Sequence, residues 1–111
     1  MIDMETTIMT LLVNAGEARS LCMTALACAR DGDVDRAGML LADADNFIKA
    51  AHRLQTGLIG ADQGEGKIPM TLILVHAQDH LMNAILAREL INEMVILYQR
   101  QQAQQDYGDH K

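Results

Sequence analysis

Apolar residues recur at alternating steps of three and four from about Glu5 to Arg30: Ile8, Leu11, Ala15, Ala18, Cys22, Ala25 and Ala29. That rhythm marks an α-helix with one apolar face. A second run keeps it from about Val34 to Ile59, through Val34, Ala37, Leu41, Ala44, Ile48, Ala51, Gln55 and Leu58. Between the two, Asp31-Gly32-Asp33 reads as a stop and a restart. Gly32 suits the left-handed position after a helix, and Asp33 is a good N-cap for the next. Gly60 to Lys67 is the only real loop, with three Gly and no large apolar group. The third helix starts near Pro69 to Leu72, because Pro fits a first turn and Thr71 offers a cap, and it continues to about Arg100.

Connections this short force neighbouring helices to run antiparallel. The expected fold is therefore all-α, an up-down-up three-helix bundle over residues 1–103. The Gln-rich segment from Gln99 onward should fray, leaving 104–111 as a disordered tail. A chain of 111 residues makes one domain. The third helix poses a problem, since its apolar arc spans roughly 220° at about 100° per residue, where a helix of a bundle needs little more than about 100°. One chain cannot bury that surplus, so the pattern predicts a homo-oligomer with the third helix at its centre.

Composition narrows the class. Half the residues are apolar, yet Phe47, Tyr98 and Tyr107 are the only aromatics, and there are eight Met. Such a core suits closely packed helices. No apolar run reaches the roughly 18 residues a membrane span requires, so no direct membrane insertion is expected. The start, Met1-Ile2-Asp3-Met4-Glu5, lacks the basic and apolar regions of a signal peptide. Cys22 and Cys28, six apart on one helix, point to different sides and read as reduced thiols of a cytoplasmic protein. A net charge of −6 without basic clusters argues against nucleic acid as a partner.

The candidate chemistry lies in Val75-His-Ala-Gln-Asp-His-Leu-Met82. On a helical wheel His76, Asp79, His80 and Asn83 fall within an arc of roughly 100°, which they share with Leu72, Ala87, Leu90 and Met94. The clear polar side, Gln78, Arg88, Glu89, Asn92 and Glu93, lies opposite. Polar groups in an apolar face must be paired, bound to an ion, or lining a cleft. Metal ligation by His76 and His80 is one option, since residues four apart share a helical face. This predicts a zinc-binding adaptor without chemistry. Ala77 stands where a zinc hydrolase would carry its general-base Glu, so hydrolysis is not expected. Nucleophilic catalysis is the other: a neutral imidazole takes up a phosphoryl group, with Gln78, His80 and Asn83 as candidate donors to its oxygens, some from a neighbouring subunit. The plainest reading is a histidine pair hydrogen-bonded in the core.

Other features carry less. The stretch Ala61-Asp-Gln-Gly-Glu-Gly-Lys-Ile68 approximates a phosphate-binding P-loop, but lacks its first Gly and its Ser or Thr, and follows a helix. Asp31, Asp33, Asp35, Asp43 and Asp45 read as a solvated acidic zone, and His52 as an ordinary surface residue. Gln55 reads as a satisfied core amide. Gly16, inside the first helix, either admits a close neighbour or is a tolerated defect.

Three segments together, Asn14-Ala-Gly-Glu-Ala-Arg-Ser20, Ala51-His-Arg-Leu-Gln-Thr56 and Val75-His-Ala-Gln-Asp-His-Leu-Met82, carry a family resemblance. The chain resembles the lactose/cellobiose-type enzyme IIA components of the bacterial sugar phosphotransferase system, over roughly residues 4 to 100. Val75-His76-Ala77 and Asn14-Ala15-Gly16-Glu17 look more like the cellobiose and diacetylchitobiose branch. The resemblance implies a helical homotrimer. It implies that His76 accepts a phosphoryl group from HPr and passes it to a cysteine of enzyme IIB during uptake of a β-linked disaccharide. It also implies that Asp79 points to the trimer axis, where three copies bind one divalent cation. Oxygen ligands make Mg2+ the expected ion, and Gln78 and His80 are expected to support His76.

Overall fold

The computed structural model describes residues 3–109. Three helices, α1 (Met4–Arg30), α2 (Val34–Asp62) and α3 (Leu72–Asp109), make up almost all of it. The molecule is a rod of 65 × 21 × 19 Å, as long as the 38 residues of α3 require at about 1.5 Å each.

Two core clusters establish the topology. Toward one end, Ile8, Leu11 and Ala15 pack with Ala51 and Leu58 of α2 and with Leu74, Ala77 and Leu81 of α3. Toward the other, Cys22, Ala25 and Ala29 pack with Ala37, Leu41 and Ala44 of α2 and with Ile91 and Val95 of α3. The beginning of α1 thus meets the end of α2 and the beginning of α3, which is an up-down-up arrangement. The seven residues expected on the inner stripe of α1 are the seven it buries. On α2 the expected stripe is buried at Ala37, Leu41, Ala44, Ala51 and Leu58, while Val34, Ile48 and Gln55 are half-buried. So many of these positions are Ala that the helices need no large side chains between them.

The caps at Asp33 and Thr71 act where the sequence places them, and Asp3 adds another. The Asp3 carboxylate accepts from the Thr6 backbone N–H and hydroxyl, and these bonds hold its carboxyl below the ordinary value. Gly32 adopts φ +97° and Asp33 donates its N–H to the Cys28 carbonyl, closing α1. The Asp33 side chain then caps α2 at the Arg36 N–H, 3.1 Å away. Asp62 organises the loop, accepting from the backbone N–H groups of Gly66 and Ile68. Thr71 Oγ1 accepts from the Leu74 N–H at 3.2 Å and starts α3.

Three expectations need correction. First, α3 does not end near Arg100 but runs to Asp109, so 104–109 is helical where a disordered tail is expected; 110–111 lie outside the described residues. Gln101, Gln102, Ala103, Gln104 and Gln105 are good helix formers with no Pro among them, and they prolong the helix. Second, Asp45 is not simply solvated: its carboxylate pairs with the Arg88 guanidinium through two bonds of 2.8 and 3.0 Å. Third, α3 buries Leu74, Ala77, Leu81, Ala84, Ile91 and Val95. The arc holding His76, Asp79, His80 and Asn83 lies beside that face, not at its centre. Ala87 packs half-buried on the core, but its other apolar companions Leu72, Leu90 and Met94 stay exposed, at 87%, 51% and 40%, as does neighbouring Leu86 at 53%. The surplus apolar surface of α3 is therefore real, and a single chain leaves it uncovered.

Candidate functional site

His76, Asp79, His80 and Asn83 project from the second and third turns of α3, spaced so that one side of the helix carries all four. Across from them stands Arg19 of α1. These five residues line one cavity of about 210 Å³. The imidazoles of His76 and His80 meet edge to face, with centroids 5.7 Å apart and planes at 85°. His76 is exposed and His80 half-buried, so His76 is the ring a second molecule can reach. The plain reading of a buried histidine pair fails on that exposure.

Gly16 lies one turn before Arg19 on α1. A Cβ placed there would come within 4.0 Å of His80 Cε1, an ordinary contact. Alanine would fit, so within one chain the glycine is not needed for space. Its neighbour does show which edge of α1 faces the histidines.

Gln78 does not join this group. Two residues along a helix from His76 it is turned away by roughly 200°, and it accepts a hydrogen bond from Gln55 Nε2 of α2. It lines a separate cavity with Leu58, Ile59, Asp62 and Ile68. Within a chain Gln78 is a link between α2 and α3. Gln55 is the satisfied amide expected of it, and His52 is exposed. Sequence reasoning missed Arg19. The available signal was its place three residues after Gly16, inside the segment Asn14–Ser20.

Among the described residues no three His, Cys, Asp or Glu side chains converge within the chain. A zinc site needs about four protein or water ligands, and His76 with His80 supplies two. Asp79 offers the hard oxygen ligand that Mg2+ prefers. It is exposed, and among the described residues no further carboxylate joins it to form a cluster within the chain.

The cavity thus brings two imidazoles, a carboxylate, a side-chain amide and one guanidinium together. No helix of the described residues is long and apolar enough to cross a membrane. The sequence profile of the lactose/cellobiose-specific IIA subunits of the phosphotransferase system (PTS) matches residues 6–99. The PTS N,N'-diacetylchitobiose-specific EIIA component of Escherichia coli K12 is 45% identical over 101 residues, covering 91% of this chain and 87% of that one. The lichenan-specific phosphotransferase enzyme IIA component of Bacillus subtilis is 41% identical, covering 88% of this chain and 89% of its own. Among solved structures, the cellobiose-specific enzyme IIA of Bacillus anthracis superimposes with a TM-score of 0.87 at 39% identity, over 93% of this chain and 94% of that one. The IIA(Chitobiose) subunit in its solution complex with HPr from Escherichia coli gives 0.79 at 42%, over 92% and 99%.

Proposed function

The chain belongs to the lactose/cellobiose-specific IIA subunits of the phosphotransferase system, and from that premise we propose that it relays a phosphoryl group through His76. In this reading phospho-HPr is the donor, a cysteine of the cognate enzyme IIB is the acceptor, and the cargo is a β-linked disaccharide of the cellobiose or diacetylchitobiose type. The relay works in the cytoplasm. The observation that carries it is the exposed imidazole of His76 at the mouth of a cavity furnished with donors and a cation. The relative solved with HPr supports the choice of donor.

A neutral His76 attacks phosphorus in line through a ring lone pair, the reacting nitrogen being Nε2, the one farther from the backbone. The N–P bond forms as the bond to the donor breaks; the acceptor thiolate then attacks the phosphorus, and an S–P bond forms as the N–P bond breaks and its electron pair returns to His76. Little covalent work falls to the protein, so catalysis is mostly positioning and charge stabilisation. His80 and Asn83 line the same cavity and present N–H groups to the phosphoryl oxygens.

The uncovered apolar side of α3 supports a homotrimer packed through that helix. Three Asp79 carboxylates brought together in a dry interface would repel unless a cation neutralised them. Asp79 is thus the residue that would hold a divalent ion, most simply Mg2+, whose role is to join subunits. The test of the relay is two-sided. The protein should gain one phosphoryl group when phosphoenolpyruvate, enzyme I and HPr are all supplied, and lose it on addition of enzyme IIB. Gain without HPr, or a phosphorylated form that enzyme IIB fails to discharge, refutes the proposed order.

A further inference from the structure

The relay brings a dianionic phosphoryl group into a cavity whose wall already holds a carboxylate. Asp79 lines it beside His76, and the other α3 residues there, His80 and Asn83, are not permanent cations. The incoming group is itself strongly anionic, so a permanent cation in the cavity wall favours its transfer to His76. Arg19 is the permanent cation among the residues lining the cavity, and it comes from a different helix.

Like Arg36, Arg53 and Arg100, Arg19 is not tied down by the fold, and what sets it apart is its place in the wall of this cavity. Arg88 is held by Asp45, and Arg30 by Asp31. Arg19 is exposed and has no hydrogen bond or ion pair among the described residues. The same edge of α1 carries Gly16, whose nearest neighbour beyond its own helix is the His80 ring. Arg19 stands one turn further along that edge. A permanently charged guanidinium, planar and able to donate two parallel N–H bonds, matches a phosphoryl group better than any other side chain.

We infer that Arg19 is the phosphoryl-binding cation of this site, its guanidinium pairing with the phosphoryl oxygens while the group is carried on His76. This rests on the relay proposed above and adds a residue to it. In the step the N–P bond to His76 forms while the bond from phosphorus to the donor breaks, the electron pair of the broken bond leaving with the donor. Arg19 remains protonated throughout and neither gives nor takes a proton. Its charge offsets the charge gathering on the equatorial oxygens of a loose transition state.

The experiment compares single-turnover phosphorylation by phospho-HPr in the full-length wild type, Arg19→Gln and Arg19→Lys. Helix content and oligomeric state are checked first. Arg19→Gln should lower the maximal transfer rate about 10- to 100-fold, below what loss of one stabilising donor causes in a closed site because this site is open to water. Arg19→Lys should recover part of the loss, since a point charge remains while the paired bonds do not. A merely structural arginine would show neither partial rescue by Lys nor a loss in the maximal rate with the fold intact. Three results overturn the inference. Wild-type rates in Arg19→Gln remove Arg19 from the site while leaving the relay standing. A loss confined to the half-saturating HPr concentration makes Arg19 a docking residue and not a phosphoryl ligand. A wild type inert to phospho-HPr removes the relay, and Arg19's role with it.

Discussion

Truncating Leu86 and Leu90 to Ala should weaken subunit assembly without harming the subunit. Each side chain is about half exposed in the single chain, at 53% and 51%. Full burial of a leucine stabilises by about 2 kcal/mol, so each has about 1 kcal/mol left to gain from a neighbouring subunit. With two such residues in each of three subunits, the double variant forfeits ~6 kcal/mol per trimer. At about 1.4 kcal/mol per decade this lowers the trimer association constant by roughly four decades. Trimerisation is third order in monomer, so the midpoint concentration rises as the square root, ~100-fold. Sedimentation velocity over a dilution series measures that midpoint, and circular dichroism checks that helix content is retained. An unchanged midpoint in the double variant, or a wild type that stays monomeric at tens of micromolar, would refute the reasoning that α3 is covered by copies of itself.

Two further outcomes follow from the same geometry. Asp79→Leu should abolish any divalent-ion dependence of assembly and leave the trimer as stable or more so, because the converging charges are gone; metal analysis showing unchanged bound ion would rule out the axial role. Burial pushes the Cys22 thiol above its ordinary value, so the fold favours the protonated form. That contribution is fully present below the ordinary thiol pKa and is lost as pH rises through the raised one. The urea midpoint should therefore fall on the alkaline side, and fall less in Cys22→Ala; thiol reagents should reach half-buried Cys28 before Cys22.

The inner stripe of α1 is legible in the sequence because small and apolar residues alternate there with polar ones, and only one phase of a helix fits. The caps at Asp33 and Thr71 are legible for a similar reason: short oxygen-bearing side chains have few other uses at a helix start. α3 is harder. It carries Leu, Ile, Val or Met on most sides, so periodicity alone does not separate the face buried within the chain from the face left for another copy. The arc around His76 is correctly grouped, but its apolar companions Leu72 and Leu90 belong to the uncovered side. Gln78, two residues from His76 on a helix, turns toward α2 within the chain and bonds Gln55, a contact the spacing alone does not reveal. Arg19 escapes notice because an arginine on the outer edge of an amphipathic helix is expected to be solvated. What makes it a site residue is an α3 neighbour some distance along the chain, and only the packing of α1 on α3 brings them together. The tail shows the opposite error, polarity read as disorder where good helix formers simply continue the helix.

The central claim, that His76 carries the phosphoryl group, is tested most directly by intact mass after incubation with phosphoenolpyruvate, enzyme I and HPr, beside a His76→Ala control. The account predicts a gain of one acid-labile phosphoryl group in the wild type and none in the variant. Phosphorylation that persists in His76→Ala, or a wild type that gains nothing from active upstream proteins, would contradict it.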